Sequence, residues 1–104
     1  MCEVLLKNGV IVDGTGNPWV KGDVVVAKGK IAEVHRKIRC AADRVIDATG
    51  LVITPGFIDL HTHSDRTIMT NPKASSSIMA GVTTEAVGNC GSSVYGFARD
   101  GREQ

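Results

Sequence analysis

Pro55-Gly56-Phe57-Ile58-Asp59-Leu60-His61-Thr62-His63 decides how this chain is read, because a short apolar, β-prone run ends in two imidazoles two residues apart. In a strand, side chains at i and i+2 point to the same face. His61 and His63 are therefore expected to converge on one metal ion at the strand end. Ile58, Leu60 and Thr62 are expected on the opposite face, with Phe57 and Asp59 deeper on the histidine face. Nearly continuous apolar runs are the signature of strands covered on both faces. The preceding Leu51-Val52-Ile53-Thr54 has the same character, and Pro55-Gly56 separates the two runs.

Downstream, Asn71-Pro72 opens an expected helix over 73–80, closed by Gly81 as a C-terminal cap. Val82-Thr83-Thr84-Glu85-Ala86-Val87 follows, β-branched and alternating, and delivers Gly88-Asn89-Cys90-Gly91 just past its end. Strand, helix and strand in this order predict a βαβ unit whose two strands are parallel neighbours. Sites in such architectures form at the C-terminal ends of the strands, where His61, His63 and Cys90 all fall. Neutral imidazole and thiolate are good zinc ligands, and three of them leave room for water in a tetrahedral shell.

The competing reading is that the histidines cap a strand end by hydrogen bonding and that Cys90 is buried and inert. A His-x-His alone is too short to decide; its combination with Pro-Gly-Phe-Ile-Asp and Gly-Asn-Cys-Gly favours the metal. Asp65 reads as a solvated loop residue or helix cap rather than a ligand. Glu85, on the opposite parity from Cys90, is expected to face a helix, with Thr84 and Ala86 on the cysteine face.

Upstream, strands are expected over 4–8, 10–12, 23–27 and 31–36, with Lys28-Gly29 as a tight hairpin turn. Asp13-Gly14-Thr15-Gly16-Asn17-Pro18 is dense in turn formers and reads as a loop. Its Gly-x-Gly is not a phosphate cradle, since Trp19 stands where a third glycine would be and no long amphipathic helix follows. Trp19 itself is expected to anchor packing in the β-layer, and His35 to lie on a surface strand without a function. The fold class is α/β, a small N-terminal β domain over 1–50 followed by a β/α part over 51–104.

With 104 residues, 42% hydrophobic and 22% charged, the chain has the makeup of one globular domain at most. A formal charge of +1 and four aromatic residues, with no basic run, do not suggest a nucleic-acid partner, and none is expected. No segment resembles a signal peptide or membrane span, so a cytoplasmic protein is expected. Cys2, Cys40 and Cys90 are odd in number and widely spaced, which fits neither a disulfide framework nor a zinc finger. Cys2 and Cys40 read as small packed residues.

The 55–63 segment resembles the metal-bearing entry strand of the amidohydrolase superfamily, whose members pass from a small β domain into a β/α barrel. Lys7-Asn8-Gly9-Val10-Ile11-Val12-Asp13-Gly14-Thr15-Gly16 and Val45-Ile46-Asp47-Ala48-Thr49-Gly50 look like the family's β-domain strands and its lead-in to the barrel. Within the superfamily, Gly81 through Gly91 is similar to the N-acyl-D-amino-acid deacylases, or D-aminoacylases, in which a cysteine after the second barrel strand is a zinc ligand. The resemblance implies a β-layer belonging to a β-sandwich, then the first βαβ unit of a metal-dependent (β/α)₈ TIM-type barrel, truncated. It implies His61, His63 and Cys90 as metal ligands, one or two Zn²⁺ in the intact enzyme, and hydrolysis of small N-acyl-D-amino acids. No catalytic residue is assigned, because the family's aspartate and remaining histidines lie on later strands. A full barrel takes about 250 residues, so the chain alone is expected to be inactive and to associate with itself or with the missing remainder. Two other readings stay open: a dihydroorotase or hydantoinase-like cyclic amidohydrolase, and a non-catalytic β-rich interaction module.

Overall fold

Aliphatic residues run through Cys2–Ile11 and form one strand, β1, rather than the two shorter ones expected over 4–8 and 10–12. The chain bulges between Leu6 and Gly9 instead of stopping. Asn8 takes a left-handed φ of 63° there, a conformation asparagine tolerates better than most residues. These coordinates are a computed structural model that describes residues 2–91 and 93–94; the polar tail over 99–104 lies outside the described residues. The chain divides into two compact units, 1–55 and 56–104.

In the first unit, β1 is central to a five-stranded mixed sheet with β2 (Val20–Ala27), β3 (Lys30–His35), β4 (Ala42–Asp47) and β5 (Val52–Ile53). Its order is β3-β2-β1-β4, with β5 also on β1. The β2–β3 hairpin turns at Lys28 and Gly29, whose φ angles of 52° and 68° are both positive, as the twist of a two-residue hairpin requires. Before the bulge β1 pairs in parallel with β4, and beyond it with β5. The run over 51–54, read from sequence as a doubly covered strand, therefore joins this sheet through Val10 N–H to the Leu51 carbonyl at 3.0 Å and Val12 N–H to the Ile53 carbonyl at 2.9 Å.

Leu5, Val25 and Ile38 form the buried cluster, with Cys2, Cys40 and Ala42 packed against it. Hydrogen bonding with the Cys2 thiol is the main influence that pushes the Cys40 thiol up. Trp19 is not an anchor: it is 61% exposed, in the loop immediately before the chain enters the sheet at Val20.

Asp23 is the unexpected core residue, only 2% exposed. Its Oδ1 accepts the Asn8 N–H at 2.9 Å and its Oδ2 the Ile38 N–H at 2.8 Å. One carboxylate thus fastens the bulge in β1 and the segment after β3 to β2. Burial by itself raises the carboxyl's pKa, but the two N–H donors and the Lys7 and Lys37 charges outweigh it and leave the value below the ordinary range.

The second unit contains β6 (Phe57–Asp59), α1 (Ser64–Thr67), α2 (Ser75–Met79) and β7 (Val82–Glu85). β6 and β7 pair in parallel, with Phe57 opposite Val82, Ile58 opposite Thr84 and Asp59 opposite Glu85. α2 is shorter than the expected 73–80 because Ala74, at φ 43°, breaks the helical path at its start; the Gly81 N–H closes its end on the Ile78 carbonyl at 3.0 Å. The β6 run is not covered on both faces, since Phe57, Ile58 and Leu60 are 55%, 62% and 68% exposed. Strands outnumber helices seven to two among the described residues, giving a sheet-rich α/β chain. No helix among them is long and apolar enough to cross a membrane.

Gly56 precedes β6 at its closest approach to β7: a Cβ built there would overlap the Thr83 side chain, including its own Cβ. Thr83 cannot rotate that atom away. Gly56→Ala is therefore expected to destabilise this strand pair by about 1–3 kcal/mol, the usual cost of forced overpacking, seen as faster amide exchange over 82–86.

Candidate metal centre

The two histidines lie past the strand rather than on it. β6 ends at Asp59, and His61 and His63 belong to the turn leading into α1, with His63 as the residue capping that helix. Same-face alternation along a strand is therefore not what brings them together. The Asp59 Oδ1 accepts the His61 N–H at 3.0 Å, an Asx-type turn that bends the chain immediately after the strand. The ladder then continues irregularly, with Ala86 N–H on the Asp59 carbonyl at 2.8 Å and Thr62 N–H on the Ala86 carbonyl at 3.2 Å. Held this way, the imidazole rings lie 5.9 Å apart between centroids, tilted by 60°.

Cys90 arrives from beyond β7 in a turn closed by the Gly91 N–H on the Gly88 carbonyl at 2.9 Å. The Asn89 side-chain amide donates to the Leu60 carbonyl, which fastens the cysteine turn to the histidine turn one residue before each ligand. The Cys90 Sγ then stands 2.7 Å from the His61 Nε2. The candidate donor atoms of His61, His63 and Cys90 all lie within 4.8 Å of one another, and all three residues are exposed. No carboxylate joins this group among the described residues.

This donor set fits a zinc-type cation. Two imidazoles and a sulfur are borderline-soft ligands, and donors on one tetrahedral zinc stand roughly 3.3–3.7 Å apart, given bonds of about 2.0–2.3 Å. The 2.7 Å His61–Cys90 contact is shorter than that and the group's outer limit of 4.8 Å is longer, so rotation of exposed side chains reconciles the set.

Two acidic residues brace the surroundings. Asp65 is neither solvated nor a cap: it lies in the first turn of α1 and is 5% exposed. Its Oδ2 accepts the Ser93 hydroxyl at 2.8 Å and the Val94 N–H at 3.0 Å, and these bonds hold its carboxyl below the ordinary range. Its Oδ1 is buried without a hydrogen-bond partner among the described residues. Glu85 does face the helices, accepting the Ser77 hydroxyl at 2.6 Å; hydrogen bonds from Ser64 and Ser77 hold its carboxyl low. The bracing roles of Asp59, Asn89 and Asp65 are not foreseen in the sequence reading. An aspartate two residues before a backbone N–H it can bend toward is the local signal for Asp59, whereas nothing local marks the long-range Asn89 and Asp65 bonds.

Residues 44–102 match the model of the amidohydrolase family. The chain belongs to the amidohydrolase family. This amidohydrolase is 38% identical over 92% of its length to the D-aminoacylase of Alcaligenes xylosoxydans xylosoxydans, and spans 20% of that protein. It is 51% identical to the 5-methylthioadenosine/S-adenosylhomocysteine deaminase of Thermococcus kodakarensis, over 60% of its own length and 15% of that enzyme. Among solved structures, a D-aminoacylase superposes with a TM-score of 0.87 at 36% identity, covering 99% of this chain and 22% of that one. The zinc and phosphonate complex of N-acyl-D-glutamate deacylase from Bordetella bronchiseptica gives 0.83 at 37% identity, covering 88% and 19%. The L-hydantoinase of Arthrobacter aurescens gives 0.69 at 29% identity, covering 82% and 20%. The sheet-rich α/β fold is thus that of the N-terminal region of D-aminoacylase structures. The amidohydrolase chain spans about one fifth of the curated relatives it matches.

Proposed function

We propose that His61, His63 and Cys90 hold zinc in an amidohydrolase that cleaves N-acyl-D-amino acids to a D-amino acid and a carboxylate. The observation that carries this reading is the convergence of two imidazoles and one thiol within 4.8 Å at the joined ends of a parallel strand pair. The likeness to a D-aminoacylase over nearly the whole chain, with a TM-score of 0.87 against 0.69 for the hydantoinase, favours linear over cyclic amides. Bound there, zinc would acidify a water molecule toward a pKa of about 7 and polarise the acyl carbonyl.

The chain's own residues do the holding. His61 and His63 would hold the ion through ring nitrogens and Cys90 through its sulfur as a thiolate, and Asp59 and Asn89 fix the two turns that carry them. No residue here is assigned as the base that completes proton transfer, so this chain by itself is expected to release no D-amino acid. Exposed Phe57, Ile58, Leu60 and Ile78 support association with a second copy or with further barrel strands. Three unbridged thiols support a cytoplasmic location, and a small-molecule substrate is part of the same proposal.

A second reading is favoured by the 51% identity to the deaminase. Both are tested on a polypeptide that carries this chain within a barrel of its relatives' length. Zinc-dependent release of D-amino acids from N-acetyl-D-amino acids, with none from the L-enantiomers, is the expected result. Ammonia release from 5-methylthioadenosine without deacylation would transfer the proposal to the deaminase.

A further inference from the structure

Asp65 is the most buried described residue of the second unit, at 5% exposure. A carboxylate hidden from water is costly unless strongly hydrogen-bonded. Asp65 spends its Oδ2 on two donors, Ser93 Oγ and Val94 N–H, which lie 28 and 29 residues further along the chain. The positions matter: Asp65 comes two residues after His63, and its donors come three and four residues after Cys90. It therefore ties the exit of the histidine turn to the exit of the cysteine turn. On the entry side, the Asn89 amide makes the matching tie to Leu60. Cys90 is exposed and its sulfur meets the His61 ring at 2.7 Å, so its placement depends on what restrains the turn before and after it.

We propose that Asp65 is a positioning residue that clamps the Cys90 turn through Ser93 and Val94, holding the sulfur opposite His61 and thereby setting the site's affinity for a soft divalent cation. The inference rests on the metal reading above for the affinity, but not for the clamp. Residues that orient metal ligands typically cost 10–100-fold in affinity when lost, and Asp65 belongs to that group although it touches no donor atom.

The test uses the 104-residue chain with zinc as the probe. Asp65→Ala should raise the zinc Kd by about 10–100-fold, by analogy with other orienting partners, and should speed amide exchange over 88–94 in the metal-free protein while the first unit's exchange is unchanged. Asp65→Asn keeps an oxygen that can accept from Ser93 and Val94, and should recover most of the affinity; Ser93→Ala removes one donor and should give a smaller loss with the same localised exchange. An Asp65→Asn variant as weak as Asp65→Ala would overturn the clamp in favour of a plain effect of charge. Unchanged zinc affinity and unchanged exchange in Asp65→Ala would overturn it outright. If the unmodified chain shows no Cys90-dependent zinc binding, the metal reading fails, and exchange over 88–94 still decides whether Asp65 holds the turn.

Discussion

Replacing Cys90 by alanine should weaken zinc binding by about 10²–10³-fold. A four-ligand protein zinc site provides about 10–16 kcal/mol, so one ligand accounts for about 2.5–4 kcal/mol, and each 1.4 kcal/mol is tenfold. The thiolate carries the negative charge in a donor set whose other members, His61 and His63, are neutral when they bind. A competition titration with a chromophoric chelator reads the change directly. Cys2→Ala and Cys40→Ala are the controls, since both thiols pack against the first unit's Leu5, Val25 and Ile38 cluster; neither should alter zinc affinity. Equal losses for all three cysteines would mean that binding reports folding and not ligation.

Asp23→Ala should destabilise the first unit strongly, by about 2–6 kcal/mol. The loss strands two backbone donors, Asn8 N–H and Ile38 N–H, and each buried donor left without a partner costs about 1–3 kcal/mol. Asp23→Asn, which keeps one acceptor oxygen, should lose less. The same carboxylate gives the fold an acid dependence of known sign. Its folded pKa lies below the unfolded value of about 3.9, so its stabilisation is fully present above that value and disappears as pH falls through the folded pKa. Urea unfolding at neutral pH and again below pH 4 should show the native chain weakening in acid and Asp23→Ala weakening less. A cost under about 1 kcal/mol at neutral pH, the net worth of an ordinary hydrogen bond, would contradict the assigned role.

What the sequence discloses follows the range over which each interaction acts. The Lys28-Gly29 hairpin and the loop over 13–18 are local, and turn chemistry reveals them; the β-branched run from Val82 likewise discloses a strand, although β7 ends at Glu85 and its burial does not alternate as expected over 82–87. The three candidate ligands are legible for a related reason, since strand order alone brings the ends of β6 and β7 together. The means of their convergence is not: a strict strand through His63 predicts alternation, whereas β6 stops at Asp59 and an Asx turn takes over. Trp19 misleads because hydrophobicity says nothing about whether a loop folds back onto the sheet. Asp23 and Asp65 are invisible because a lone aspartate in a strand or loop reads as solvated. Only contacts 15 and 28–29 residues away show that each is a buried fastener.

The central assignment is that one cation is shared by His61, His63 and Cys90, and substitution with cobalt(II) examines it most directly because thiolate coordination to that ion has its own absorption. The unmodified chain should take up the metal with an intense near-ultraviolet sulfur-to-cobalt charge-transfer band. Cys90→Ser should lose the band, while His61→Ala and His63→Ala each weaken uptake without abolishing the band at saturation. A band that survives Cys90→Ser, or uptake indifferent to both histidines, would contradict the shared site.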